Sequence, residues 1–155
     1  DLSPDTAVLF SAAAAAVVID TVDPTHRITA AEHYTDGSGA NLLTQRLGQP
    51  LYMAGRDVYL FTKNIVGPMV QRACAERDIW AVLAHSASKP VLDALQAAVP
   101  KVSVCFDLTH GNTVSSTIPI LLTDFDYRFS GNEGPLVLAG FGVGLSATTL
   151  VLEPV

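Results

Sequence analysis

Apolar positions change period several times along this 155-residue chain, and each change marks an element. The run Ile79-Trp80-Ala81-Val82-Leu83-Ala84 is too short and too uniformly apolar for anything but a buried strand. Strands also read at Ala7-Val8-Leu9-Phe10, at Ala14 to Asp20 beyond a tight small-residue passage, at Ile28 to Tyr34 and at Lys101 to Phe106. Val58, Phe61, Ile65, Met69 and Ala73 recur at three- and four-residue spacing, which predicts a helix from about Arg56 to Arg77. Gly67-Pro68 inside it predicts a kink or a break, because proline removes a helical donor and clashes with the preceding turn. A second helix is predicted from about Ser88 to Val99, ended by Pro100, and a third from Thr113 to about Phe125. Leu136 to Ala139 and Ser146 to Glu153 read as a closing strand pair around the turn Gly140-Phe141-Gly142-Val143-Gly144. Asp36 to Gly39 and Asp107 to Gly111 are loops by their turn chemistry. With no repeat and no linker, residues 1–155 read as one domain of mixed α/β type.

Composition narrows the function classes. The chain is 49% hydrophobic and only 15% charged, an apolar balance that predicts surface buried against a partner or another part of a larger protein. Its longest apolar run, Ala12 to Ile19, is far below the roughly 18 residues of a membrane helix, so no membrane span is expected. A net charge of −6 with scattered basic residues argues against a nucleic-acid surface. The first residues, Asp1-Leu2-Ser3-Pro4, carry no initiator methionine and no signal peptide, which points to a processed or fragmentary start. Cys74 and Cys105 form neither a disulfide framework nor a metal site. Two reduced, half-buried thiols fit a cytoplasmic location.

The candidate chemistry lies where strands give way to helices. His85 closes the Ile79–Ala84 run, and Asn112 follows Gly111 just before a helix of small residues, Val114-Ser115-Ser116-Thr117. Open α/β sheets gather backbone donors and side chains at such carboxyl ends of strands. A histidine and a carboxamide together can hold an oxygen on which negative charge develops. Each has a plainer reading: His85 as a hydrogen-bonded structural residue, and Asn112 as a helix cap. Ser86, Ala87 and Ser88 are small enough to leave access to the His85 ring, and Gly111 allows a close backbone approach. His110 reads as orienting its own loop, Phe141 as a pocket wall at a turn tip, and Asp57, Glu76, Asp78 and Asp93 as solvated helix charges. Neither cysteine nor any serine stands in a convincing nucleophile setting.

These residues carry a resemblance. His110-Gly111-Asn112-Thr113-Val114-Ser115-Ser116-Thr117-Ile118-Pro119 resembles the His-Gly-Asn-Thr-Ser-small-small-Ile-Pro element of β-ketoacyl-acyl-carrier-protein synthase III, of the thiolase superfamily. Asp36-Gly37-Ser38, Met53 to Tyr59, Ala84 to Ser88 and Gly140 to Leu145 are similar to further elements of that family, in order and with its spacings. The resemblance implies a thiolase-like α/β fold, of which this chain supplies the C-terminal half: a five-stranded mixed sheet within a duplicated α-β-α-β-α layering. It implies decarboxylative Claisen condensation of acyl and malonyl thioesters, with His85 and Asn112 on the extender carbonyl and the nucleophilic cysteine on an N-terminal half. Tyr59, Ala87, Ser88, Phe141 and Gly142 are the implied substrate contacts. No cofactor or metal is implied; coenzyme A or phosphopantetheine thioesters are substrates, and the N-terminal half, a carrier protein and a second copy are partners.

Some positions depart from the family pattern. Ser88 stands where it has an asparagine, Pro90 where it has a basic residue with Lys89 one position earlier, and Ser11-Ala12-Ala13-Ala14 where it has Gly-Asp-Gly-Ala. Val143 replaces a glycine. These changes favour a specialised or secondary pathway. Two alternatives stay open: an acyl transfer to an alcohol or amine with His85 as general base, and a non-catalytic partner subunit.

Overall fold

Apolar runs without a polar side must be buried on both faces, and the architecture follows from that. The computed structural model describes residues 8–129 and 134–155. It contains a five-stranded mixed sheet in which β4 (Ala81–Ala84) lies between β6 (Leu136–Gly142) and β5 (Ser103–Cys105). Both neighbours run parallel to β4. β7 (Ser146–Pro154) and then β1 (His26–Thr35) extend the sheet antiparallel on the β6 side. A two-stranded hairpin, β2 (Leu43–Thr44) with β3 (Tyr52–Met53), stands apart; the sequence pattern did not predict it.

The long predicted helix divides into α1 (Gly55–Phe61), a π-helical turn (Thr62–Val66) and α2 (Gly67–Cys74). The proline is absorbed by this widened turn rather than by a break. Gly67 N–H reaches back five residues to the Thr62 carbonyl, and Pro68 falls in the first turn of α2, where its missing donor costs least. α3 (Lys89–Ala98) follows β4, and α4 (Thr117–Phe129) follows a short 3-10 turn at Val114–Ser116.

The sheet's two faces are covered unequally. On one, Met69, Val70 and Ala73 of α2 and Leu92 and Leu95 of α3 pack on Val82, Ala84, Val137, Ala139 and Val151. On the other, α4 sets Leu121 and Ile118 over Ala81, Leu83, Leu136 and Leu138, and nothing described covers the β1 end. Ile28 there is 54% exposed, and Ala31, His33 and Thr35 are exposed beside it.

The expected strand at Ala14 to Asp20 does not form. Residues 11–20 take no regular structure, and Val18 and Ile19 are 87% and 84% exposed. A strand needs a neighbour to satisfy its backbone groups, and β1, at the sheet edge, pairs only with β7. Of the expected strand at residues 7–10, Ala7 lies outside the described residues, and Phe10 makes only an isolated parallel bridge to Asn112. Among the described residues no helix is long and apolar enough to cross a membrane.

Candidate active site

β4 delivers His85. Its backbone N–H donates to Ala139 O at 2.9 Å, extending the ladder one residue beyond the strand. The ring meets Phe141 edge-on, with centroids 5.4 Å apart and planes at 77°. Nδ1 lies 3.3 Å from Thr117 Oγ1. Burial pushes the imidazole pKa down to about 4, against the opposing pull of a hydrogen bond with the Val114 backbone. His85 is therefore neutral at pH 7.

Asn112 is held by its backbone on both sides. Asn112 N–H donates to Leu9 O at 2.8 Å, and Ser11 N–H donates to Asn112 O at 3.0 Å. Gly111 makes this approach possible: its φ is +68°, and a Cβ there would come within 3.2 Å of Leu9 O. Ser11 Oγ also donates to the His110 carbonyl, and Ser116 Oγ to Ala13 O at 3.1 Å. The Asn112 side chain accepts from Val114 N–H through Oδ1 at 2.9 Å. Asn112 is thus not the cap of the 3-10 turn, whose N-cap is Thr113; its oxygen closes a local side-chain turn, and its two amide hydrogens have no partner among the described residues. A β-branched Val114 at φ +55° completes this loop, a conformation that valine tolerates only under constraint.

Both side chains line one cavity of about 790 Å³, at the carboxyl ends of β4 and β6. Ala87, Ser88, Phe141 and Gly142 line it too. Tyr59 does not; α1 contributes Gly55 and Tyr59's neighbour Val58. Phe141 lies within β6, not at the tip of the turn, which is formed by residues 143–145. Leu43 and Met53 of the small hairpin supply apolar wall that no local sequence signal marked. Thr117, 2% exposed, was equally invisible as a partner of His85, because that contact joins residues 32 apart.

The surrounding groups have structural partners. Ser86 is fully buried and accepts from Asp107 N–H at 2.9 Å, joining the His85 loop to the Asn112 loop. His110 Nδ1 is paired with the Asp107 carboxylate, which raises the His110 pKa. Asp107 is pulled upward by burial, but hydrogen bonds from His110 and Thr109 outweigh this and hold it below the usual range. Lys89 pairs with Asp93 one helical turn away. Burial pushes both thiols, Cys74 and Cys105, above their ordinary pKa, the opposite of an activated nucleophile. No cluster of metal-ligating side chains occurs among the described residues.

Relatives share this arrangement of elements. A β-ketoacyl-[acyl-carrier-protein] synthase III of Listeria monocytogenes is 31% identical over 158 residues, covering 96% of this chain and 50% of that protein. One from Halalkalibacterium halodurans is 32% identical over 159 residues, with the same coverage. A crystal structure of a 3-oxoacyl-(acyl-carrier-protein) synthase III superposes with a TM-score of 0.71 at 28% identity, over 82% of this chain and 48% of its own. The chain thus spans about half the length of the relatives it matches. The family model for the C-terminal part of 3-oxoacyl-[acyl-carrier-protein (ACP)] synthase III matches residues 69–153. With its thiolase-like α/β sheet and that match, the chain belongs to the synthase III family of the thiolase superfamily, as its C-terminal half.

Proposed function

We propose that this chain is the substrate-activating half of a synthase III-type acyltransferase, in which Asn112 and His85 hold the carbonyl oxygen of a malonyl thioester. The bond to the malonyl carboxylate breaks, carbon dioxide leaves, and its electron pair becomes an enolate on the thioester. Two neutral donors aimed at that oxygen stabilise the growing charge; removing one donor of such a pair costs about 100- to 1,000-fold in rate. The enolate carbon then attacks the acyl carbonyl held on a cysteine of the N-terminal half, and the cysteine thiolate is released. The observation that carries this reading is Asn112: its oxygen is committed to Val114 N–H, which leaves its hydrogens for the cavity that His85 also lines.

On this reading the thioester is carried by an acyl carrier protein or coenzyme A, no cofactor takes part, and the complete unit works as a cytoplasmic dimer. Ser88, Pro90 and Val143 depart from the family pattern, and Lys89 is engaged by Asp93. Those features support a specialised pathway over general lipid synthesis.

The test uses the unit that holds this chain together with the cysteine-bearing half. Asn112→Ala and Asn112→Asp should both abolish carbon dioxide release from malonyl thioester while acylation of the cysteine persists. Asn112→Asp keeps the oxygen that accepts from Val114 N–H, so its loss of activity would not come from the turn. Condensation at the normal rate in either variant would overturn the reading.

A further inference from the structure

Across the floor of the cavity the sheet changes character from strand to strand. β4 leads into His85, and β6 beside it contributes Gly140 and Gly142, which have no side chains to fill the space. A Cβ at Gly140 would approach Ile118 of α4 at 3.6 Å, and one at Gly142 would meet nothing within 4 Å. Beyond them β7 places Thr148 opposite Gly140 and Ser146 opposite Gly142, and both line the cavity. β1 then sets His33 beside Thr148 and Thr35 beside Ser146. From β4 to β7 is two strand spacings, about 10 Å. A largely apolar cavity thus has two polar ends: His85 with Asn112, and a hydroxyl pair that the proposed reaction leaves unused.

The hydroxyl pair is joined through β1. His33 Nδ1 lies 2.7 Å from Thr148 Oγ1 and Nε2 lies 3.0 Å from Thr35 Oγ1, which is 3.3 Å from Ser146 Oγ. With a neutral ring, three hydroxyls and one ring N–H supply four protons to three contacts. If Nδ1 carries the ring proton, it donates to Thr148, while Thr35 donates to Nε2 and Ser146 to Thr35. Thr148 then has the spare proton, and Ser146 can only accept from a guest. If Nε2 carries it, Thr148 spends its proton on Nδ1 and can only accept, and the spare proton belongs to Ser146 or Thr35. Either way, at most one of the two cavity hydroxyls donates to a guest, and the other accepts. A carboxylate, which only accepts, is mismatched to this pair. An alkyl end displaces water from both hydroxyls without replacing its hydrogen bonds. A hydroxyl donates and accepts, and so matches.

We propose that Ser146 and Thr148, linked through Thr35 and His33, form a second polar subsite of the cavity that takes a hydroxyl carried on the acyl chain. This rests on the reading of the cavity as an acyl thioester site. It adds a substrate class: hydroxylated acyl groups are selected over plain alkyl ones of the same length.

The test uses the full chain with three N-acetylcysteamine thioesters as probes: hexanoyl, terminally hydroxylated hexanoyl, and adipoyl, which ends in a carboxylate. At pH 8 the hydroxylated probe should bind about 10-fold more tightly than hexanoyl, the worth of one good hydrogen bond, and adipoyl should not exceed it. Only the hydroxylated probe should move the ¹⁵N shifts of the labelled His33 ring. Ser146→Ala combined with Thr148→Val should erase the preference, and Thr148→Ser should keep it. Equal affinities, no binding of the hydroxylated probe, tighter binding of adipoyl, or a preference that survives in the double variant would overturn the proposal. In the complete unit the same preference should appear in acylation of the cysteine, and Asn112→Ala should leave it unchanged. If it does but Asn112→Ala still decarboxylates malonyl thioester, the functional reading falls while the subsite stands.

Discussion

The two faces of the sheet differ in how much of their cover this chain supplies. Under α2 and α3, Val82, Ala84, Leu92 and Leu95 reach 0% exposure, and the hydrophobic cluster there is continuous. On the opposite face α4 shields β4 and β6, but the β1 end keeps Ile28 54% exposed beside Ala31, His33 and Thr35. One face is finished within the chain; the other is finished only in part. The cavity with His85 and Asn112 lies at the strand ends where the two faces meet, and it takes lining from both, Val58 and Val91 on one and Ile118 on the other.

This contrast can be broken most forcefully from the finished face. Leu92→Ala removes a fully buried side chain between α3 and the sheet and should destabilise the chain by about 2–5 kcal/mol, read from denaturant midpoints. A smaller loss would mean that this face is looser than its packing indicates.

Acid probes the seam between the faces. The His85 pKa falls from 6.5 to about 4 on folding, so the unfolded chain binds the extra proton between those values. Stability due to this group is fully present above pH 6.5 and is lost as pH falls toward 4. The loss is on the order of 3 kcal/mol, relative to a His85→Gln chain whose stability lacks this slope. Parallel pH profiles for the two chains would show that His85 is not desolvated.

The smallest effect belongs to the open face. Ile28→Thr, on β1, should change stability by less than about 0.5 kcal/mol in this chain alone, because its side chain already meets solvent. A loss of about 2 kcal/mol or more, the size expected of a core truncation, would mean that the face is covered after all.

What was readable in the sequence follows the same division. β4 is bounded by its own composition: an apolar run of that length has one fate, and His85 at its end inherits a fixed place. α2 and α3 are equally local, since their apolar spacing states the buried side. Ala14 to Asp20 misled for a physical reason. Val17, Val18 and Ile19 favour extended backbone, yet a strand exists only when a neighbour takes its hydrogen bonds, and no described segment does. Tyr59 and Val58 show a finer limit. Adjacent helical residues point about 100° apart, so an aromatic beside the lining position falls outside the cavity. Thr117 was legible as a helix-start residue but not as a partner of His85, because only the folded sheet brings β4 and the start of α4 together.

Asn112 has an implication for recognition. Because Val114 N–H binds its oxygen, the carboxamide would have to break that bond to turn the oxygen toward a guest. The cavity wall therefore shows hydrogens at this point before anything arrives, and a visitor meets a fixed preference for acceptors. Selectivity against donor groups is in this way an outcome of folding, settled by a single main-chain contact two residues downstream.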